Sequence, residues 1–250
     1  MKLEKNLIED LSFLSQLSNL TILYAFDNEI EDISPLCALT RLHSLYIADN
    51  LISDINSLAA LQNLRKLDLT NNELTDISAL KSLQKLEYLE LSNNQISDIS
   101  IVSNFLNLET LDIVHNNIQD INPLFNLNLL TLCAEGNQIS DISSLAKLNQ
   151  LVVFAISDNQ INDISVLSVC LNLECLEAEN NQISDVIALS ELNVLEYAYL
   201  ENNPILNGEL LENLPALEEL FYDKKMNKKS PIQTRKGLFF DFMNFFAGDS

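Results

Sequence analysis

An asparagine recurs along the chain at a nearly fixed interval. Successive positions are twenty-two residues apart, except for the step from Asn116 to Asn137, which is twenty-one residues. Aliphatic residues usually fall eight, five and three places before each asparagine and two, five and eight places after it. A repeat of this length predicts a stack of similar coils, each contacting only its neighbours. The ten positions are Asn6, Asn28, Asn50, Asn72, Asn94, Asn116, Asn137, Asn159, Asn181 and Asn203.

In the residues just before each asparagine, every second residue is apolar, as Leu89 and Leu91 are in the run from Tyr88 to Ser92. This period of two predicts a strand with one face buried. Strands of successive coils are then expected to form one parallel sheet on the inner side of the stack. The asparagine amide has donors and an acceptor, so we predict that it satisfies backbone groups of its own coil and of the next.

An aspartate lies four residues after nine of the ten asparagines. An Asp before Ile-Ser, as in Asp98-Ile99-Ser100, favours capping of a short helical turn. So short a coil leaves room for little more than a 3-10 turn on its outer side. The alternative is a calcium-binding role for these carboxylates, which are Asp10, Asp32, Asp54, Asp76, Asp98, Asp120, Asp141, Asp163 and Asp185.

The twenty-one-residue coil lacks one linker residue between its outer turn and the next strand. The shortened run is Asn126-Leu127-Asn128-Leu129-Leu130. We expect a local kink or flattening there, not a domain boundary.

Charge divides the chain into two segments. Residues 1–223 contain eight Lys and Arg against thirty-four Asp and Glu, a net charge of −26, whereas residues 224–250 contain six Lys and Arg against two Asp, a net charge of +4. An acidic body repels phosphate backbones, so nucleic-acid binding through residues 1–223 is not expected. The same field favours rapid encounter with basic proteins or peptides.

The composition argues against an enzyme and against a bound cofactor or metal. The chain has only four glycines and no phosphate-binding loop, and its two histidines, His43 and His115, fall in different coils. The four cysteines form no CxxC pair and are expected to be reduced thiols. No run of eighteen apolar residues predicts a membrane span. The charged start is already in the repeat register and does not read as a signal peptide.

The repeat register also identifies the residues that point away from the core on the inner sheet. Aromatic residues at these positions cluster near the two ends, and acids occur in nearly every coil. Such a combination is typical of interface anchors, although Tyr and Phe are also simply good strand residues. We predict that these residues bind a partner, with the aromatics as anchors and the acids as steering groups: Tyr24, Phe26, Tyr46, Tyr88, Glu90, Asp112, Glu177, Glu179, Tyr197, Tyr199, Glu201 and Phe221.

Residues 224–250 form a basic and aromatic tail. Leu238, Phe239, Phe242, Phe245 and Phe246 have the spacing of one helical face, which predicts a helix that caps the last coil. Two alternatives are contact with an anionic membrane surface and a linear motif for a partner. The segment from Gln233 to Phe240 is somewhat similar to a sliding-clamp-binding peptide, but Lys236 stands where an aliphatic residue is expected.

The recurring Asn-x-Ile-x-Asp-Ile-Ser, as in residues 94–100, resembles the leucine-rich repeat in its short twenty-two-residue form. That subclass includes a regulatory subunit of type-one protein phosphatase and the bacterial internalins. The resemblance implies a curved right-handed solenoid of the α/β class, with a parallel sheet on the concave side and short 3-10 turns or loops on the convex side. It also implies protein binding by the concave face.

We therefore predict a leucine-rich-repeat domain at residues 1–223, with about ten coils, followed by the tail. The expected function is non-enzymatic capture of a basic protein or peptide, in the cytoplasm. In the alternative, the tail is the active element of an effector or adaptor and the solenoid is its carrier. Bacterial effectors with such repeats are delivered into host cells, which gives an alternative location.

Overall fold

Ten short parallel strands form a single sheet, in which each strand pairs with the next strand along the sequence. The structure, a computed structural model, describes residues 1–223. The predicted capping helix in residues 224–250 lies outside the described residues. The strands are β1 Ile22–Tyr24, β2 Ser44–Tyr46, β3 Lys66–Asp68, β4 Tyr88–Glu90, β5 Thr110–Asp112, β6 Thr131–Cys133, β7 Val153–Ala155, β8 Cys175–Glu177, β9 Tyr197–Tyr199 and β10 Glu219–Phe221.

A 3-10 turn closes the opposite side of each coil, as the sequence predicted. Pro35 and Pro123 lie at the starts of two of these turns, where a missing backbone N–H is tolerated. None of the turns in residues 1–223 has the length and hydropathy that crossing a bilayer requires. The turns span Ser12–Gln16, Ser34–Ala38, Asn56–Ala60, Ser78–Ser82, Ser100–Asn104, Asn122–Leu124, Ser143–Lys147, Ser165–Val169, Ile187–Leu189 and Gly208–Leu210.

The core is a continuous column of aliphatic side chains between the sheet and the turns. Leu67, Leu89 and Leu111 are the central residues of adjacent strands, and all three are fully buried. Their neighbours in the column are the same positions of the coils before and after. The column therefore stabilises each coil mainly through its two neighbours.

The asparagine ladder is buried and hydrogen-bonded, but it joins each coil to the preceding coil and not to the next. The amide Nδ2 of Asn94 donates to the carbonyl oxygens of Leu91 and Ser92 in its own coil, at 3.0 and 3.2 Å, and of Leu69 in the coil before, at 3.0 Å. Its Oδ1 accepts the backbone N–H of Leu74, also in the preceding coil, at 2.9 Å. The amide thus satisfies backbone groups on both sides of the junction between coils.

The residue before each asparagine lies in the left-handed region of backbone conformation. Asn93 has φ of 54° and Asp158 has φ of 55°, and Asn and Asp tolerate this region better than most residues. Gly136 (φ 63°) occupies the same position in the coil after the short one. Non-glycine residues adopt the same conformation in the other coils, so what distinguishes Gly136 is space: a Cβ there would collide with the imidazole of His115.

The aspartate ladder caps the outer turns, as predicted. In each of the nine coils, a carboxylate oxygen accepts the backbone N–H of the residue two places on, which is the first residue of the 3-10 turn. For Asp98 and Ser100 the distance is 2.7 Å. The aspartates precede the formal N-cap residue by one place, and that N-cap residue is a buried Ile, Leu or Val of the core.

The twenty-one-residue coil does not interrupt the sheet. Thr110, Leu111 and Asp112 pair in register with Thr131, Leu132 and Cys133. The missing residue is lost on the outer side, because the start of the outer turn and the start of the next strand are nine residues apart here, from Asn122 to Thr131, and ten apart in the coil before, from Ser100 to Thr110. The sheet is therefore continuous across the short coil.

Candidate partner-binding surface

The inner face of the sheet presents ten side chains in one row, because the third residues of the strands pair with one another in register. Neighbouring strands of a sheet lie about 4.8 Å apart. We call these residues the central row. Along the sheet the row reads Tyr24, Tyr46, Asp68, Glu90, Asp112, Cys133, Ala155, Glu177, Tyr199 and Phe221.

Each end of the central row is a stacked aromatic pair. The rings of Tyr24 and Tyr46 are parallel, with centroids 4.9 Å apart and an interplanar angle of 4°. The ammonium of Lys2 lies 5.4 Å from the centroid of Tyr24. At the other end, the rings of Tyr199 and Phe221 are 5.8 Å apart at an angle of 23°. The sequence predicted this clustering of aromatics at both ends, and the structure adds the stacking.

The middle of the inner face holds carboxylates in an unusual environment. Burial, together with the charges of Asp68 and Asp112 on the adjacent strands, raises the pKa of Glu90 to about 8. Burial likewise raises the pKa of Glu135 to about 8, with Glu177 as the next cause, and that of Glu177 to about 7. These side chains are packed beside one another with little water to solvate their charges, so ionising all of them at once is unfavourable.

Neighbouring hydroxyl groups hold several of these carboxylates in place. The hydroxyl of Tyr88 donates to Glu90, and that of Ser92 donates to Asp112. Asp112 also accepts the backbone N–H of Val114 at 3.0 Å. These hydrogen bonds fix the direction in which each carboxylate faces the inner surface.

A similar pair lies further along the sheet. The hydroxyl of Ser157 donates to the carboxylate of Glu179 and accepts the backbone N–H of the same residue at 3.1 Å. At the end of the sheet, the hydroxyls of Tyr197 and Tyr199 donate to Glu218 and Glu219 at 2.8 and 2.6 Å. The inner acids are therefore anchored parts of the sheet surface.

Three of the predicted contact residues are more buried than the alternation of the sequence indicated. Tyr88, Asp112 and Tyr199 lie on the inner face, but only 9%, 8% and 5% of their surfaces are exposed. Each of the three has a paired residue beside it on both adjacent strands. The remaining predicted residues are half-buried, except that Phe221 is exposed: Tyr24, Phe26, Tyr46, Glu90, Glu177, Glu179, Tyr197 and Glu201.

The structure also brings two acids into the cluster that the predicted set omits. Asp68 lies beside Glu90 in the central row, and Glu135 faces Asp112 and Glu177. Both occupy positions of the repeat that lie on the inner face of the sheet, so the register predicts where they lie. Their raised pKa values do not follow from the register, because these depend on how neighbouring side chains exclude water.

Cys133 and Ala155 form an uncharged gap in the central row between Asp112 and Glu177. The Cys133 thiol is fully buried, and burial raises its pKa well above the ordinary value. Burial also raises the pKa of Cys175, on the same face, to about 12. Such thiols are poor nucleophiles. Within residues 1–223, no group of three or more His, Cys, Asp or Glu side chains is arranged to hold a metal ion.

A family model described as Leucine Rich repeats (2 copies) matches residues 18–61, 40–82, 62–104 and 84–126. No curated protein matches the chain. Among solved structures, an internalin (InlF) from Listeria monocytogenes is 32% identical, with 85% of this chain and 70% of that chain covered and a TM-score of 0.75. Internalin C2 from the same organism is 30% identical, with 83% and 82% covered and a TM-score of 0.61.

A more distant match is the ectodomain of the plant membrane receptor kinase GASSHO1/SCHENGEN3 from Arabidopsis thaliana. It is 26% identical, with 78% of this chain and 26% of that chain covered and a TM-score of 0.67. That ectodomain was solved in complex with CASPARIAN STRIP INTEGRITY FACTOR 2.

Proposed function

Because the chain belongs to the leucine-rich-repeat family, we propose that its inner face binds a protein that presents a basic segment. The fold is typical of protein–protein interaction modules. The likeness to a receptor ectodomain solved with a partner supports this use of the fold. The basic character of the partner is inferred from this chain's own inner face.

The observation that carries the proposal is the order of side chains along the central row. Stacked aromatic pairs flank a middle that contains Asp68, Glu90 and Asp112 on three adjacent strands. Over ten strands the row spans about 43 Å along the sheet, at about 4.8 Å per step. A matching partner would place apolar groups at the two ends and basic side chains opposite the middle.

A basic partner would be favoured for an electrostatic reason. The free protein holds Glu90 and Glu135 with pKa values raised to about 8, because their negative charges are poorly solvated and close together. A guanidinium or ammonium placed against them supplies the missing counter-charge. Arginine suits this position better than lysine, because it can bind two carboxylate oxygens at once and is more weakly hydrated.

The aromatic ends would supply anchors, and the acids would orient the partner. Tyr24 and Tyr46 are half-buried, so their faces remain partly available. Tyr199 is buried between its neighbours, so its replacement would also disturb the sheet. We propose that Tyr46 and Glu177 are the most informative positions to change.

We further propose that the protein acts without catalysis. The thiols on the inner face have raised pKa values, and the inner carboxylates are held by Tyr and Ser hydroxyls. A cytoplasmic location and the absence of nucleic-acid binding stay predictions of the sequence.

The test is affinity capture with mass spectrometry, followed by titration of the purified partner. Immobilised wild type is compared with Tyr46→Ala/Glu177→Lys and with an outer-surface control of the same charge change, Glu73→Lys/Leu106→Ala. Both control positions are exposed and lie off the inner face. We expect the inner-face variant to weaken binding at least tenfold, about 1–2 kcal/mol or more, while the control binds normally.

Equal binding by wild type and the inner-face variant would rule out the inner face as the binding surface. A third arm uses a chain that ends at Asp223. A partner lost only from this chain would move the function to residues 224–250 and leave the solenoid as a carrier.

A further inference from the structure

The last coil of the described solenoid buries its apolar residues incompletely. Leu217 and Leu220 occupy the positions that Leu195 and Ala198 hold in the coil before. Leu195 and Ala198 are fully buried, whereas Leu217 and Leu220 are half-buried. In a solenoid each coil is covered by the next, and no further coil follows β10 within residues 1–223.

Two shallow grooves open at this end of the molecule. One, of about 260 Å³, is lined by Glu212, Leu217, Glu218, Leu220 and Tyr222. The other, of about 280 Å³, is lined by Ile205, Leu206, Gly208, Glu209, Glu212, Tyr222 and Asp223. We call the residues lining the two grooves the end face. Its apolar floor consists of Leu206, which is 66% exposed in one groove, and of Leu217 and Leu220, which are half-buried in the other.

The rim of the end face is acidic. Glu209, Glu212 and Glu218 line the grooves together with Asp223. The end face thus combines an apolar floor with a negative rim, and a segment that fits it should combine apolar side chains with positive charge.

We propose that residues 224–250 of this same chain occupy the end face. The segment begins at the groove, because Asp223 is both its immediate neighbour and a lining residue. Its first thirteen residues contain six Lys and Arg, which match the acidic rim. In its later residues, the spacing of Phe239, Phe242 and Phe246 predicts one apolar helical face, which would match the apolar floor.

The covalent link favours this occupant over any separate molecule. A segment tethered at the edge of its own binding site experiences an effective concentration in the millimolar range for a short flexible link. Twenty-seven residues are ample to cross a surface only a few side chains wide, at roughly 1.5 Å per residue even when helical. The occupied end face then completes the burial of Leu217 and Leu220.

Hydrogen exchange on the full chain tests the proposal. The probe region is residues 211–222, followed by mass spectrometry after quenched digestion. Phe242→Ser removes an aromatic group from the predicted apolar face, whereas Phe240→Ser makes the same change off that face. We expect Phe242→Ser to speed exchange in the probe region at least tenfold, and Phe240→Ser to leave it within twofold of wild type.

A reciprocal change on the end face guards against indirect effects of the tail mutation. Glu209→Lys/Glu212→Lys reverses the rim charge, and Glu191→Lys is an exposed control in the coil before. The rim variant should also speed exchange in residues 211–222, and the control should not. Carbodiimide cross-linking should join a lysine of residues 224–236 to Glu209, Glu212 or Glu218 in wild type and not in the rim variant.

Two results would overturn the proposal. One is equal exchange in wild type, Phe242→Ser and a chain ending at Asp223, since the end face would then be unoccupied by the tail. The other is exchange that is equally slow in all of these chains while the tail binds vesicles of phosphatidylcholine with phosphatidylserine. That outcome would assign the tail to a membrane surface.

Discussion

Asp98 and Asp112 lie fourteen residues apart in consecutive coils, and their environments have opposite effects on the charged carboxylate. On the outer side, hydrogen bonding to the backbone and side chain of Ser100 lowers the pKa of the Asp98 carboxyl. On the inner side, burial raises the pKa of Asp112, and the nearby Asp68 adds to the effect. The first carboxylate is exposed, and the second is 8% exposed.

The comparison shows that the outer and the inner acidic residues of this protein have different roles. An outer aspartate caps a turn and gains from being charged, so its presence is explained by folding alone. An inner acid lies beside other acids with little water around it, so its charged form destabilises the folded state. In the free protein the acid avoids this destabilisation by keeping its proton, and a positive charge placed against it would favour the ionised form. This is the physical reason to expect a basic partner at the inner face.

The largest expected effect is on the pH dependence of stability. The folded pKa values of Glu90 and Glu135, about 8, and of Glu177, about 7, lie above the ordinary value of 4.5. The folded protein therefore keeps protons that the unfolded chain releases as the pH rises above 4.5. The free energy of unfolding should fall by about 3–6 kcal/mol between pH 5 and pH 8, and level off only once the pH has passed the folded pKa values.

Urea denaturation followed by circular dichroism at several pH values measures this slope. The outer aspartates act in the opposite direction and in another window. The pKa of Asp98 is lowered, so its contribution is present above its ordinary value of 3.8 and is lost as the pH falls through the folded value. A stability that is flat or rising from pH 5 to pH 8 would contradict the inner-face description.

The next effect is confined to one inner acid. Glu90→Gln keeps an acceptor for the Tyr88 hydroxyl but cannot ionise. The unfolding free energies of the variant and of wild type are compared at each pH. This difference should be about 2–4 kcal/mol more favourable to the variant at pH 8 than at pH 5. Glu73→Gln, an exposed acid off the inner face, is the matched control and should change the slope little. Identical slopes for both variants would show that Glu90 is not part of the proton-holding cluster.

A third prediction concerns the asparagine ladder, which holds the inner strand and the outer turn in fixed relation. Asn94→Ala removes three donated hydrogen bonds and one accepted hydrogen bond at a buried junction. It should lower stability by about 1–3 kcal/mol. The Asn6 side chain is exposed and hydrogen-bonds only to Leu3 and Glu4 of its own coil, so Asn6→Ala should cost less than about 0.5 kcal/mol. Equal losses at the two positions would show that the link between coils is not what the amide contributes.

The smallest effect is expected on the outer side. Asp54 accepts the backbone N–H of Asn56 at 2.8 Å, and Asp54→Ala should lower stability by about 0.5–2 kcal/mol, since a cap is lost. Asp54→Asn keeps an acceptor and should lose only a small part of this. Thermal unfolding of the three chains at pH 7 distinguishes capping from a role that needs the negative charge. If Asn were as damaging as Ala, capping alone would not explain the ladder.

Much of the architecture could be predicted because the repeat imposes the same local problem on every coil. The interval between asparagines fixes the number of coils, and the alternation before each asparagine fixes which strand residues face inward. The Asp-Ile-Ser pattern gave the capped outer turns. The short coil was recognisable from the twenty-one-residue interval between Asn116 and Asn137. The residue is lost from the outer linker, so the strand register is unchanged.

The inner face was only partly predictable. The alternation of apolar and polar residues predicts that Tyr88, Asp112 and Tyr199 point to the inner face, but it does not predict how deeply they are buried there. The prediction that each asparagine bonds to the next coil was also wrong, because the hydrogen bonds go to the preceding coil. An amide in a periodic chain has equivalent backbone groups on either side, so the sequence does not distinguish the two.

The sequence by itself determined the repeat, the parallel sheet, the capped turns and the acidic character, because each follows from local spacing and composition. Only the tertiary structure decided which acids are exposed and which are deprived of water. Solvation and charge repulsion depend on side chains that lie about 4.8 Å away on the next strand yet twenty-one or twenty-two residues away in the chain. The repeat register already assigned Asp98 to a cap and Asp112 to the inner face, and only packing decided that Asp112 is buried and deprived of water.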